Sequence, residues 1–165
     1  MGDEDFATAL LVDASDRGRV TLLSCGHPPP MLIRPDGTAE LLTVPPRLPL
    51  GLGGDGEPVT VSWGTGDRLL LYTDGLSEAR DERGQFLSLL ELAPTLTASQ
   101  PDVALDGVLE LVRRHIRCGQ LGDDLAMVLL ENNAGRSHGW ISAESRVVLG
   151  HDDEKKASRH VHESP

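Results

Sequence analysis

Aromatic residues make up only 3% of the 165 positions. The core must therefore be built from Leu, Val, Ala and Ile. Cysteine is scarce as well. Cys25 and Cys118 stand far apart, with no spacing that suggests a disulfide framework or a zinc site. A reducing, cytoplasmic compartment is the expectation. Basic residues are outnumbered, and the formal net charge is −11. That balance excludes non-specific binding to nucleic acid or to an anionic membrane, since both need a basic surface. No apolar run approaches the length of a membrane span. The acidic opening MGDEDFATALL lacks the basic region that starts a signal peptide. Met1-Gly2 begins like an acylation site, but Phe6 stands where a small hydroxyl residue is needed. There is no nucleophile elbow and no phosphate-binding Walker loop.

What is present is a series of short strand patterns. Residues 6–15 read as a strand, with a helix as the weaker alternative, 16–19 as a turn and 20–25 as a second strand, together a hairpin. The stiff segment 26-GHPPP-30 leads into a strand at 31–34. Pro35-Asp36-Gly37 is a strong turn signal, and 38–44 returns as the other hairpin arm. A Pro- and Gly-rich loop spans 45–58. Residues 59–63 alternate apolar and polar, as a half-buried strand does. The run 68-RLLLYT-73 is nearly all apolar, which suits a central strand buried on both faces. Residues 76–92 read as partly helical. Helical spacing of Leu105, Val108, Leu109, Val112 and Ile116 predicts a long helix over 99–119. A last apolar strand covers 125–130. The pattern predicts an α+β fold, mostly antiparallel, in a domain at 1–131. Residues 132–165 read as a disordered tail. Four of the six histidines lie in that tail at spacings that match no metal site.

Two acidic positions interrupt the apolar pattern at strand ends. Asp74 follows the central strand and precedes Gly75. Asp123 and Asp124 precede the last strand. Neighbouring carboxylates repel unless a positive group lies between them. A divalent cation is the simplest such group, and oxygen-only ligands suit Mg²⁺ or Mn²⁺. Phosphoryl transfer to water is the chemistry that most needs this arrangement, because the substrate is anionic and repels hydroxide. Thr-Asp-Gly is also an ordinary turn tripeptide, and Asp-Asp before a strand can be a solvated cap. Spacing alone leaves both readings open. Three other groups read as structural. His27 supports the Gly-His-Pro turn, Cys25 is a buried strand-end thiol, and Glu78 and Asp81 face solvent at the start of a helix.

Four ordered segments carry a resemblance: 24-SCGHPPPMLIRPDG-37, 48-LPLGL-52, 67-DRLLLYTDGLSEARDERGQF-86 and 123-DDLAMVLL-130. Together they resemble the SpoIIE-like branch of the metal-dependent PPM protein serine/threonine phosphatases, over about residues 4–131. The resemblance implies a layered α-β-β-α sandwich with helices outside two sheets. It implies a binuclear Mn²⁺ or Mg²⁺ centre with Asp74 and Asp123 as ligands and Asp124 as a further neighbour. It implies hydrolysis of phosphoserine or phosphothreonine on a regulatory protein of the anti-anti-sigma (STAS) type by a metal-activated water. One departure stands out. The family's upstream metal-bridging Asp-Gly motif has no counterpart here. The expectation is that the chain resembles the C-terminal portion of the domain. The alternative is a catalytically inactive remnant that binds the same regulatory partners.

Overall fold

A computed structural model of the protein describes residues 6–45, 47–53, 56–98, 100–116, 124–134 and 141–148. Two antiparallel sheets pack face to face. The first holds β1 (Ala9–Asp13), β2 (Arg19–Cys25) and β5 (Val59–Ser62), in the order β1-β2-β5. The second holds β3 (Met31–Ile33), β4 (Ala39–Leu41), β6 (Arg68–Tyr72), β7 (Leu125–Asn132) and β8 (Ile141–Val148), in the order β4-β3-β6-β7-β8. Among the described residues three α-helices accompany them: α1 (Asp74–Ser77), α2 (Ala93–Thr97) and α3 (Pro101–Ile116).

Local chemistry explains most of the turns. Asp16 accepts from the Gly18 amide, and the Arg19 amide bonds back to the Asp16 carbonyl, closing the β1–β2 hairpin. Asp36 accepts from both the amide and the hydroxyl of Thr38, which shapes the β3–β4 turn. These amide and hydroxyl bonds hold the Asp36 carboxyl below the usual carboxylate range. β6 lies between β3 and β7, the central position its apolar run predicts. β5 pairs with β2 instead, so the turn at Gly64–Asp67 passes the chain from one sheet to the other.

Two apolar layers result. Val20, Leu22, Leu32, Leu42, Trp63 and Leu69 fill the space between the sheets. On the far face of the larger sheet, Met31, Ile33, Leu70, Leu125, Met127 and Leu129 meet the apolar stripe of α3. That stripe is Ala104, Leu105, Val108, Leu109, Val112 and Ile116, as the helical spacing requires. Pro101 occupies the first turn, where its missing amide costs nothing, and the Ala104 amide bonds to the Gln100 carbonyl. Asp102 near the start and Arg113, Arg114 and His115 near the end complement the helix dipole. Gly107 permits a close crossing of α2, because a methyl there would stand 2.7 Å from Thr95 Cγ2. Helices cover the larger sheet. Among the described residues none covers the smaller one.

Two expectations need correction. Residues 76–92 are helical in part, as their pattern suggests, with the single turn α1, irregular chain and a 3-10 turn at Leu89–Leu92, but no helix starts at Glu78 or Asp81. Glu78 therefore ends a helix rather than starting one. Asp81 accepts from the amides of Gln85 and Arg83 and organises a loop; those bonds lower its pKa. The second correction concerns the tail. Residues 141–148 form β8, paired in register along all of β7, from Leu125↔Val148 to Asn132↔Ile141. The ladder is made by main-chain groups, which any sequence carries, so weak apolar periodicity concealed it. His138, His151, His160 and His162 lie outside the described residues.

Candidate functional site

β6 and β7 run antiparallel, so the end of one meets the start of the other. The last regular pair is Tyr72↔Met127. Beyond it, Thr73 extends the contact. Its amide donates to the Ala126 carbonyl at 3.0 Å. Its hydroxyl donates to the Asp124 carbonyl at 2.9 Å and accepts from the Ala126 amide at 2.9 Å. Asp74 follows at once and opens α1. The Glu78 amide bonds to the Asp74 carbonyl at 2.7 Å, and the fully buried Leu76 anchors the turn. Asp74 and Asp124 thus stand at adjoining strand ends on one rim of the sheet, both exposed to solvent.

The Asp74 carboxylate accepts from the Gly75 amide at 3.1 Å. None of the ion pairs among the described residues involves it. Asp123, the other ligand the sequence suggests, lies outside the described residues. Among the described residues no group of three or more His, Cys, Asp or Glu side chains is arranged to hold a metal. Carboxylate oxygens are the donors that suit a hard divalent cation, and Asp74 and Asp124 are both exposed. Such an ion takes six or more oxygen ligands, so the remainder would come from water and from groups beyond this pair.

The neighbouring groups are structural, as their sequence context suggests. His27 turns its Nδ1 to the Pro28 carbonyl at 3.1 Å, and Ser24 donates to the His27 carbonyl at 3.0 Å. Gly26 has φ +67°, and a methyl there would meet Pro49 Cγ at 2.8 Å, so only glycine fits this corner. Cys25 is a buried free thiol. Tyr72 is buried, and its hydroxyl donates to the Pro29 carbonyl at 2.7 Å. Burial pushes its pKa up to about 12. This bond ties the Pro-rich segment to the same sheet end as Asp74. An open cleft of about 510 Å³, within the size class of small-ligand pockets, lies beside it, lined by Gly26, His27, Pro29, Leu41 and Leu42. Thr73 is the residue that sequence reasoning missed. Its partners are 51 and 53 positions away, so no local pattern reports them.

Two antiparallel sheets packed face to face, with helices on an outer face and acidic groups at the strand ends, define the fold of the PPM protein phosphatases. More narrowly, the family model for stage II sporulation protein E (SpoIIE) matches residues 1–133. The chain belongs to the SpoIIE family. Solved structures agree. The RsbU and RsbW domains of Rv1364c from Mycobacterium tuberculosis share 29% identity over 68% of this chain and 32% of theirs, with a TM-score of 0.53. The manganese-presoaked phosphatase domain of SpoIIE from Bacillus subtilis shares 22% identity over 76% of this chain and 56% of that one, with a TM-score of 0.57. The catalytic domain of the serine threonine protein phosphatase PstP, in complex with two manganese ions, shares 20% identity over 86% of this chain and 57% of its own length, at a TM-score of 0.52. The last two show the fold. The chain spans between 32% and 57% of the length of these proteins. Among the described residues no helix is long and apolar enough to cross a membrane.

Proposed function

We propose that this chain carries part of a metal-dependent phosphatase centre acting on phosphoserine or phosphothreonine of a regulatory protein of the anti-anti-sigma (STAS) type. The observation that supports the reading is the Thr73 junction, which joins the two strand ends that carry Asp74 and Asp124 at an exposed rim. Asp74, Asp124 and Asp123 are the residues that would hold Mn²⁺ or Mg²⁺, two ions in the complete centre. When bound, such an ion neutralises phosphate charge and acidifies water. The chain's own residues supply the rest. Asp74 and Asp124 offer anionic oxygens. Leu76 and the α1 turn fix the direction of Asp74. The Tyr72–Pro29 bond keeps the adjoining cleft open for the substrate's polypeptide. Family membership and the 29% identity to the RsbU and RsbW domains support a phosphoprotein partner in a signalling cascade. The buried free thiol of Cys25 suits the cytoplasm.

One observation favours a second reading. The described residues hold no cluster of three metal-ligating side chains. On that reading the chain binds the regulatory partner without turnover. Hydrolysis of an aryl phosphate and of a phosphorylated STAS domain, with and without Mn²⁺, separates the two. Metal-dependent release of phosphate that Asp74→Asn abolishes supports the enzyme. Binding of the STAS domain with no release in any condition supports the interaction module.

A further inference from the structure

We infer that Thr73 is a positioning residue, whose hydroxyl sets the placement of the Asp124 backbone against Asp74. This rests on the reading of the rim as a divalent-cation site. Thr73 stands at the N-cap of α1, where a threonine hydroxyl ordinarily accepts from an amide of the first helical turn. Here it makes no such bond. The hydroxyl is turned across to β7 instead, donating to the Asp124 carbonyl and accepting from the Ala126 amide. Those two groups flank Leu125, whose side chain is fully buried and anchors the start of the strand. With the Thr73 amide on the Ala126 carbonyl, one residue makes three bonds to the three-residue opening of the neighbouring strand. The regular ladder stops at Tyr72↔Met127, so these bonds carry the register past its last rung to the acidic residue.

The chemical need is plain. A small divalent ion accepts carboxylate oxygens within a narrow range of distance and angle. Two carboxylates on separate strands meet that demand only if the strands hold still. An outer group that orients a ligand typically contributes 10- to 100-fold in metal affinity. The threonine hydroxyl fits that role through its two hydrogen bonds, which serine can reproduce and valine cannot.

The test is Mn²⁺ titration of the full 165-residue chain by electron paramagnetic resonance, beside Thr73→Val, Thr73→Ser and Asp74→Asn. Metal-free melting curves accompany each. Thr73→Val should weaken Mn²⁺ binding by about 10- to 100-fold. Its melting point should fall by only about 2–4 °C for each lost hydrogen bond in a chain of this size. Thr73→Ser should bind within about 3-fold of the original, since its hydroxyl restores both bonds. Equal binding by the original chain and Thr73→Val, with binding lost in Asp74→Asn, overturns the positioning role and leaves the cation site standing. Weak binding by Thr73→Ser also overturns it, and that arm decides the matter if Thr73→Val does not fold. Equal binding by the original chain and Asp74→Asn overturns the cation site itself, and the positioning role with it.

Discussion

The two ends of the β6–β7 pair are built on opposite principles. At one end Asp67 and Asn132 are buried, at 4% and 1% exposure. At the other, Asp74 and Asp124 are exposed. The buried end is dense with hydrogen bonds. Asp67 accepts from the Gly64 amide at 2.7 Å and pairs with Arg34. The Trp63 indole donates to the Asp67 carbonyl at 3.2 Å. Asn132 donates to the carbonyls of Arg17 and Trp63, at 3.0 and 2.6 Å, and accepts from the Ala134 amide at 2.9 Å. Because Arg17 precedes β2, this side chain staples one sheet to the other. Beside it Arg68 pairs with Glu131 at 2.7 Å and bonds the Leu96 carbonyl, tying the sheet to α2. A buried polar group is costly unless partnered, and here the partners are supplied by the protein itself. At the exposed end the main chain is held firmly by Thr73, and Asp74 and Asp124 lie at the surface. The contrast separates an end whose polar groups hold the two sheets together from an end that carries its acidic residues at the surface.

Mutations should sharpen that contrast. Trp63 is fully buried between the sheets. Trp63→Ala should cost about 3–5 kcal/mol of stability, read by urea unfolding, with Mn²⁺ affinity of the folded protein unchanged. A loss of affinity in step with stability would erase the division between the ends. Asn132→Ala leaves the Arg17 and Trp63 carbonyls and the Ala134 amide without this partner. It should cost about 2–3 kcal/mol by the same measurement.

Tyr72 tests the boundary, since it sits at the exposed end but is buried. Tyr72→Phe should cost about 1 kcal/mol through the lost bond to the Pro29 carbonyl. Its pH dependence has a defined sign. The folded-state pKa, about 12, lies above the unfolded value near 10, so the protonated phenol is favoured by folding. That contribution is fully present below about pH 10 and is lost as pH rises towards about 12. Unfolding titrations should show this alkaline loss in the original chain and not in Tyr72→Phe. Asp74→Asn should have the smallest effect on stability, within about 0.5 kcal/mol in the absence of metal. It should lower Mn²⁺ affinity by more than about 100-fold, the upper end of what losing a mere outer-shell group costs.

Much of the exposed end was legible in the sequence. An apolar run bounded by Thr-Asp-Gly marks a buried strand and the carboxylate at its tip. Asp-Asp before 125-LAMVLL-130 marks the start of another. The pairing of those two ends rests on antiparallel register, which neither segment reveals alone. The buried end was far less legible. Asn132 reads as the first residue of a tail, yet it is nearly inaccessible, because its amide partners come from Trp63 and Arg17, far away in the chain. β8 escaped notice because main-chain pairing leaves little trace in side-chain pattern. The Pro-Asp-Gly hairpin and the α3 stripe were readable because their causes are local, within three or four residues. Contacts spanning fifty residues or more have no such signature.

Whether the rim takes a divalent cation is decided by saturation binding of Mn²⁺ to the folded chain, measured beside Asp74→Asn with both proteins shown to unfold at the same urea concentration. Saturable binding by the original chain, with a more than about 100-fold loss in the variant, is the expected result. Binding of equal strength in the two proteins, or no binding in either, would contradict it.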